Sequence, residues 1–203
     1  MVAGGAMCVA GYGLYTVVRG LGAPKEDTST TSSAQSVKVY ETRKAVAEYL
    51  MFHFGTQEDI LPYPATVAPH SALDFASRTA ALCREWVVKA GLPLEGAFDV
   101  GCAVGRTSFD LSAHFSRVVG VDFSHAFIAA ANDLKAKGSA EYTHDVEGEI
   151  KAIRKATIPA SSRPSNITFA QGDACSLPSV GALGGGFTVI HAANLLCRLP
   201  DPM

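Results

Sequence analysis

The chain has 203 residues, enough for one well-filled core and a small appendage, and carries a formal charge of −2 with a pI near 6.3. That charge supplies no basic field to gather nucleic acid, and no run of Lys and Arg supplies one locally, so small-molecule partners are favoured. The five cysteines, at 8, 83, 102, 175 and 197, form no C-x-x-C pair and meet no histidine at zinc-ligand spacing. This argues against disulfides and a structural metal, and for free thiols in a reducing, cytoplasmic compartment.

In chain order, MVAGGAMCVAGYGLYTVV opens with 18 uncharged residues before Arg19. Residues 1–24 read as an apolar leader or a membrane anchor, of borderline length and weakened as a helix by six glycines before Pro24. If the leader inserts, Arg19 and Lys25 favour a cytoplasmic C-terminal side, and the protein is tethered there by its N-terminus. Residues 25–36 are a Ser/Thr-rich linker too poor in apolar groups to fold. The folded part is expected from Val37 to Met203.

Val46, Leu50 and Phe54 recur at helical spacing, and Gly55 stops that helix. A loop containing LPYP follows. Ser71 and Asp74 make a capping-box-like start to a second helix, with Phe75, Leu82 and Trp86 on one face and an end at Gly91. From Ala97 short strands alternate with helices, which predicts a parallel sheet with crossover connections. AFDV is the first predicted strand, and GCAVG turns into a helix whose inner face carries Val104, Ser108, Leu111 and Phe115. RVVGVDF, NITFAQGD and FTVIHAAN are the second, third and fourth. The helix from Ser124 ends near Lys137, and the connection over 139–165 is longer than such units need, which predicts a functional loop or disorder that covers the site.

Parallel sheets bind ligands at the carboxyl ends of their strands. Asp99, Asp122 and Asp173 fall at three successive ends, and Gly101 and Gly105 let the backbone turn and approach a ligand. A dinucleotide fingerprint beginning at Gly101 requires glycine at 103 and 106, where the chain has Ala103 and Arg106. S-adenosylmethionine has no pyrophosphate to cradle, and it needs carboxylates and clearance instead. Asp122 lies 21 residues after Gly101, where a carboxylate accepts both hydroxyls of a ribose.

Seven segments carry a family resemblance: VYETRKAVAEYLMFHFG, LPYP, ALDFASRTAALC, FDVGCAVGRTSFDL, VVGVDFSHAFIAAA, FAQGDACSLP and AANLLCRLPDP, together most of residues 39–202. The chain resembles the S-adenosylmethionine-dependent mercaptohistidine N-methyltransferase domain of ovothiol biosynthesis. The resemblance implies a Rossmann-like class I methyltransferase fold and methyl transfer to an imidazole nitrogen of 5-thiohistidine. It places Asp99, Gly101, Cys102, Ala103 and Gly105 around the methionine part, Asp122 with Phe123 around ribose and adenine, and Asp173 with Ala174 near the adenine amino group; Asn194 lies at the mouth of the site. Tyr40, Tyr63, Arg78 and Arg198 are candidates for the amino-acid substrate, and His125, Tyr63 and Asn194 for selecting the tautomer of the attacking ring. No metal is required.

The resemblance implies a sheet in the order 3-2-1-4-5-7-6, of which the sequence spells out only 3-2-1-4. Strands five to seven are missing, so a C-terminally truncated domain is expected, with its fourth strand an exposed edge that a partner or a missing segment completes. The alternatives are a non-catalytic module that binds S-adenosylmethionine, or a methyltransferase for another small molecule. An amino-group methyltransferase of nucleic acids wants Pro-Pro-aromatic after the residue at 194, where this chain has Leu-Leu-Cys.

Overall fold

The computed structural model describes residues 6–8, 39–64, 66–67, 69–176 and 186–199. The remainder of the leader, the 25–36 linker, Arg19 and Lys25 lie outside the described residues.

Among the described residues five parallel strands form the main sheet. They are β1 (Ala6–Cys8), β2 (Gly96–Val100), β3 (Arg117–Asp122), β6 (Ile167–Gln171) and β7 (Val189–Ala192), in the order β1-β7-β2-β3-β6. The four strands read from the sequence are β2, β3, β6 and β7, and their spatial order is the expected 3-2-1-4. They were legible because a parallel sheet is covered on both faces: every residue of β2 is buried, which yields continuous apolar runs.

The expected exposed edge at β7 is not what the structure shows. Ala6–Cys8, from the leader read as a membrane anchor, pairs in parallel with Val189–His191. Among the described residues no helix is long and apolar enough to cross a membrane.

The helices are α1 (Arg43–Phe54), α2 (Gln57–Ile60), α3 (Phe75–Lys89), α4 (Arg106–Ser112) and α5 (His125–Lys137). Side-chain hydroxyls set three of their starts: Thr42 Oγ1 accepts from Ala45 N, Thr56 Oγ1 from Asp59 N, and Ser124 Oγ from Phe127 N, each at 3.1 Å. Such a cap contributes about 1 kcal/mol. Glu41 adds a second clamp on α5, because its carboxylate accepts from the amides of His125 and Ala126 at 2.9 and 3.0 Å. The segment before α1 is thereby fastened beside the carboxyl end of β3.

α3 departs from expectation in two ways. Leu82 and Trp86 are exposed, and the buried face is Ala76, Thr79, Ala80, Cys83 and Val87. Small residues face inward because α3 packs closely on α4 and on β7. Asp74, read as part of a capping box, sits at φ +57° without a capping bond and accepts instead from Gln57 Nε2 at 2.7 Å.

Most of the 139–165 connection is regular structure rather than a loop or disorder. It forms an antiparallel hairpin of β4 (Ser139–Glu147) and β5 (Ile150–Thr157), with a bulge at Asp145/Glu147. The hairpin packs on α1, with β4 also against α5, and sends Tyr142 and Ala156 into the core. Cys83 and Cys102 are buried, and Cys175 and Cys197 are exposed.

Candidate functional site

The glycine turn spans residues 101–105, between β2 and α4. Gly101 N and Cys102 N donate to Val121 O at 2.8 and 3.0 Å, Ala103 N to Asp122 Oδ2 at 2.9 Å, and Gly105 N to Cys102 O at 2.9 Å. Four amides of the turn are thus spent on the protein itself. A phosphate cradle works by aiming such amides at the anion; this turn aims three of them at β3 and the fourth at its own Cys102 carbonyl. The missing glycines of the sequence therefore accompany a backbone that is built for something other than a pyrophosphate.

The two glycines also serve packing. Gly101 (φ +74°) and Gly105 (φ +87°) adopt left-handed backbone. A Cβ at Gly101 would stand 3.0 Å from Leu195 Cδ1, and one at Gly105 would stand 2.6 Å from Phe169 Cζ. The clearance expected for a ligand is filled by these two side chains. Ala103 holds φ +47° and Asn194 φ +53°, so two of the three described non-glycine residues with positive φ lie in this region.

The carboxylates at the strand ends differ sharply. Asp99 is 1% exposed; Ser108 Oγ donates to its Oδ2 at 2.6 Å, and His191 Nδ1 lies 2.8 Å from its Oδ1. His191 Nε2 is in turn 3.1 Å from Thr79 Oγ1. The expectation that Asp99 touches the cofactor is therefore corrected, because both of its oxygens are engaged inside the protein and it has no surface to offer. Asp122 is half-buried and ends β3, accepting Ala103 N and Ser124 N at 2.9 Å each. Burial raises its pKa, against the lowering effect of those two amides and with the charges of Asp99 and Glu41 adding to the rise. One lone pair on each oxygen is left for a ligand.

Around Asp122 the structure gathers several predicted residues. Phe123, 46% exposed, follows directly. Ser124 Oγ donates to Tyr40 O at 3.0 Å, and the Tyr40 ring packs against Phe127 and Tyr49 at 5.8 and 6.1 Å. Arg198 Nη1 donates to the Tyr40 hydroxyl, and the guanidinium stands 5.8 Å from the ring centroid. The segment after β7 thus crosses from Gly101, through Leu195, to the segment before α1, and brings Tyr40 and Arg198 together from opposite ends of the described chain. Asp173 accepts Cys175 N at 2.8 Å after β6. Ala174 is half-buried against the sheet face of Phe98 and Val121.

Tyr63 is 62% exposed, and its carbonyl accepts from His70 Nε2 at 2.6 Å. His125 is exposed at the start of α5, and Arg78 is exposed on α3. Asn194 is exposed just past β7. Cys102 and Ala103 are buried, so only their backbone faces the turn; burial pushes the Cys102 thiol well up, with Asp99 and Asp122 adding to it, and it is no nucleophile.

Three participants escaped the sequence reading. His191 lies within an apolar strand directly across the register from Asp99, and a buried histidine there needs a partner. Tyr49 completes the aromatic wall, 4.6 Å from Phe127. His53, in the last turn of α1, has a buried Nδ1 with no hydrogen-bond partner among the described residues. Among the described residues no group of three or more His, Cys, Asp or Glu is placed to hold a metal ion.

A family model for the methyltransferase domain matches residues 98–203, just over half of the chain. The chain belongs to that family. It is a class I, Rossmann-like methyltransferase domain of the S-adenosylmethionine-dependent type. No curated protein matches it.

Among solved structures, the methyltransferase domain is similar to magnesium protoporphyrin IX methyltransferase from Synechocystis PCC 6803 with bound S-adenosylmethionine. The identity is 16%, over 86% of this chain and 67% of that one, with a TM-score of 0.48. The glycopeptide N-methyltransferase MtfA complexed with sinefungin shares 18% identity over 61% of this chain and 40% of its own, at 0.39. Phosphoethanolamine N-methyltransferase 1 of Haemonchus contortus shares 16% over 72% and 22%, at 0.33. The chain spans from 22% to 67% of the length of these three.

The residues present fit the family's cofactor. Four amides of the turn are spent on the protein, Asp122 keeps acceptors for ribose hydroxyls, and Phe123 offers a ring beside it.

Proposed function

We propose that this methyltransferase domain binds S-adenosylmethionine at the ends of β2 and β3 and methylates an imidazole nitrogen of 5-thiohistidine, yielding ovothiol. The observation that carries the cofactor reading is the turn whose amides at Gly101, Cys102, Ala103 and Gly105 are spent on the protein, next to the open Asp122 carboxylate. The acceptor reading rests on the seven resembling segments, and it draws support from the meeting of Tyr40 and Arg198, which both lie in them. A zwitterionic amino acid wants a cation for its carboxylate, and Arg198 stands at the rim with its guanidinium already oriented by Tyr40.

When bound, the cofactor supplies an electrophilic methyl group on a sulfonium. The protein's own contribution is then alignment and exclusion of water rather than covalent catalysis. Asp122 fixes the ribose through charge-assisted hydrogen bonds, and Phe123 covers the flat base. Tyr40, Tyr49 and Phe127 form an apolar wall that keeps water from the strand ends. A neutral imidazole brings its own lone pair near pH 7, so a strong general base is unnecessary.

Calorimetry with S-adenosylmethionine, followed by single-turnover methylation of 5-thiohistidine read by mass, tests both halves. Binding followed by a product heavier by one methyl group is expected. Absence of binding sinks the cofactor reading. Binding without transfer to thiohistidine leaves a cofactor-binding module or a methyltransferase with another acceptor.

A further inference from the structure

The first turn of α5 has its amides spent. The Glu41 carboxylate accepts from His125 N and Ala126 N, Ser124 Oγ from Phe127 N, and Ser124 O from Ile128 N at 3.1 Å. A helix start next to Asp122 therefore holds the segment 39–42 rather than presenting donors to a ligand. That segment is folded back on itself, with Thr42 Oγ1 donating to Val39 O at 2.9 Å.

Ser124 is 3% exposed and does more than cap the helix. Its backbone amide donates to Asp122 Oδ1 at 2.9 Å, and its hydroxyl accepts from Phe127 N while giving its own proton to Tyr40 O at 3.0 Å. A helix start needs only the acceptor, which Asp and Asn supply as well as Ser. A carboxylate has no proton for the Tyr40 carbonyl, whereas a hydroxyl accepts and donates at one atom. Tyr40 is thereby gripped at two ends, its carbonyl by Ser124 and its phenol by Arg198 Nη1, with the ring against Phe127 and Tyr49 between them. The exposed Arg198 meets both the hydroxyl and the ring of Tyr40, so the place of Tyr40 decides where the guanidinium stands.

We propose that Ser124 is a positioning residue for the methyl acceptor: by holding the Tyr40 carbonyl against the start of α5, its hydroxyl sets where Arg198 presents its guanidinium to an acceptor's carboxylate. The assignment rests on the reading of Arg198 as the cation that receives that carboxylate. Ser124 acts through the segment 39–42 and touches no ligand itself. Removing the hydroxyl leaves the backbone amide on Asp122, so the ribose end keeps its carboxylate in place while the acceptor end loses its register.

Calorimetry on the full chain reads the two ends separately, with S-adenosylhomocysteine for the cofactor and with 5-thiohistidine, in saturating S-adenosylhomocysteine, for the acceptor. Ser124→Ala is expected to weaken 5-thiohistidine about three- to tenfold, the range of one hydrogen bond, and S-adenosylhomocysteine by less than about twofold. Its melting temperature falls by about 2–4 °C from the lost cap, and Ser124→Thr, which keeps both acceptor and proton, restores the melting temperature and the acceptor affinity. Loss of the cap alone would lower the melting temperature and leave the acceptor affinity where it was. In a Tyr40→Phe background, where the phenol no longer meets Arg198, Ser124→Ala has no further effect on the acceptor. The proposal is overturned if Ser124→Ala binds 5-thiohistidine as the wild type does, if both ligands weaken in equal proportion, if Ser124→Thr fails as badly, or if the effects add in the Tyr40→Phe background. Arg198→Ala separates this role from the reading beneath it. Unchanged 5-thiohistidine affinity in Arg198→Ala, or no binding by the wild type, removes that reading and this proposal together; weakening in Arg198→Ala beside an unaffected Ser124→Ala removes only the role given to Ser124.

Discussion

The ends of β2 and β3 lie side by side in the sheet, and each finishes with an aspartate at or next to its last residue, yet the two carboxylates do opposite work. Asp99 is closed: Ser108 and His191 take its oxygens, and Thr79 takes the far side of His191. Asp122 is open: two backbone amides fix its orientation but leave it half-exposed, and burial raises its pKa rather than a cation lowering it. Position at a strand end makes a carboxylate a candidate, and its partners decide whether it serves the fold or a ligand.

The largest effect that tests this contrast comes from Asp99→Ala. It strands a buried histidine and a buried serine, and chemical denaturation should show a loss of about 3–5 kcal/mol. A variant as stable as the wild type but unable to bind cofactor would reverse the roles assigned to the two aspartates.

Titration sharpens the contrast next, because the groups at the two ends move stability in opposite directions. On the β2 side, where Arg106 holds its carbonyl, His53 has a folded pKa of about 4 against an ordinary 6.5, so its contribution is complete above pH 6.5 and is lost as pH falls towards 4. Up to about 3 kcal/mol rides on that window, and His53→Asn should flatten it in a pH series of unfolding midpoints. At the β3 end the Asp122 pKa is raised, so its contribution is present below pH 3.8 and is lost as pH climbs through the raised value.

Asp122→Asn should lower cofactor affinity by about 10–100-fold, from the weakening of charge-assisted bonds, while stability near pH 7 changes by less than in Asp99→Ala. Calorimetry and denaturation on the same preparation separate the two readouts. Gly105→Ala should cost about 2 kcal/mol, since φ is +87° and the new methyl would press on Phe169. The smallest change is expected from Tyr40→Phe, under about 1 kcal/mol of stability, with a rise in the apparent KM for the acceptor if Arg198 loses its orientation.

Much of this architecture could be read before any coordinates. The four strands stood out because burial on both faces writes uninterrupted apolar runs, and Gly101, Gly105 and Asp122 stood out because turns and strand ends leave local marks. The hairpin of β4 and β5 was missed, although EGEI marks its turn, because charged residues interleave its strands and length alone pointed to a loop. α3 was assigned the wrong face because large apolar residues were taken as core, whereas close approach to α4 selects Ala76, Ala80 and Cys83. Asp99 was misjudged for a deeper reason: its partners Ser108 and His191 arrive from 9 and 92 residues away, and nothing local announces them. The same holds for Arg106 reaching His53 across 53 residues.

The pairing of β1 with β7 joins residues 6–8 to residues 189–191. On a ribosome that adds about 5–20 residues per second, the first strand waits roughly 10–40 s for its partner to be made. The sheet therefore closes from its middle outward, and the beginning of the chain takes its place last.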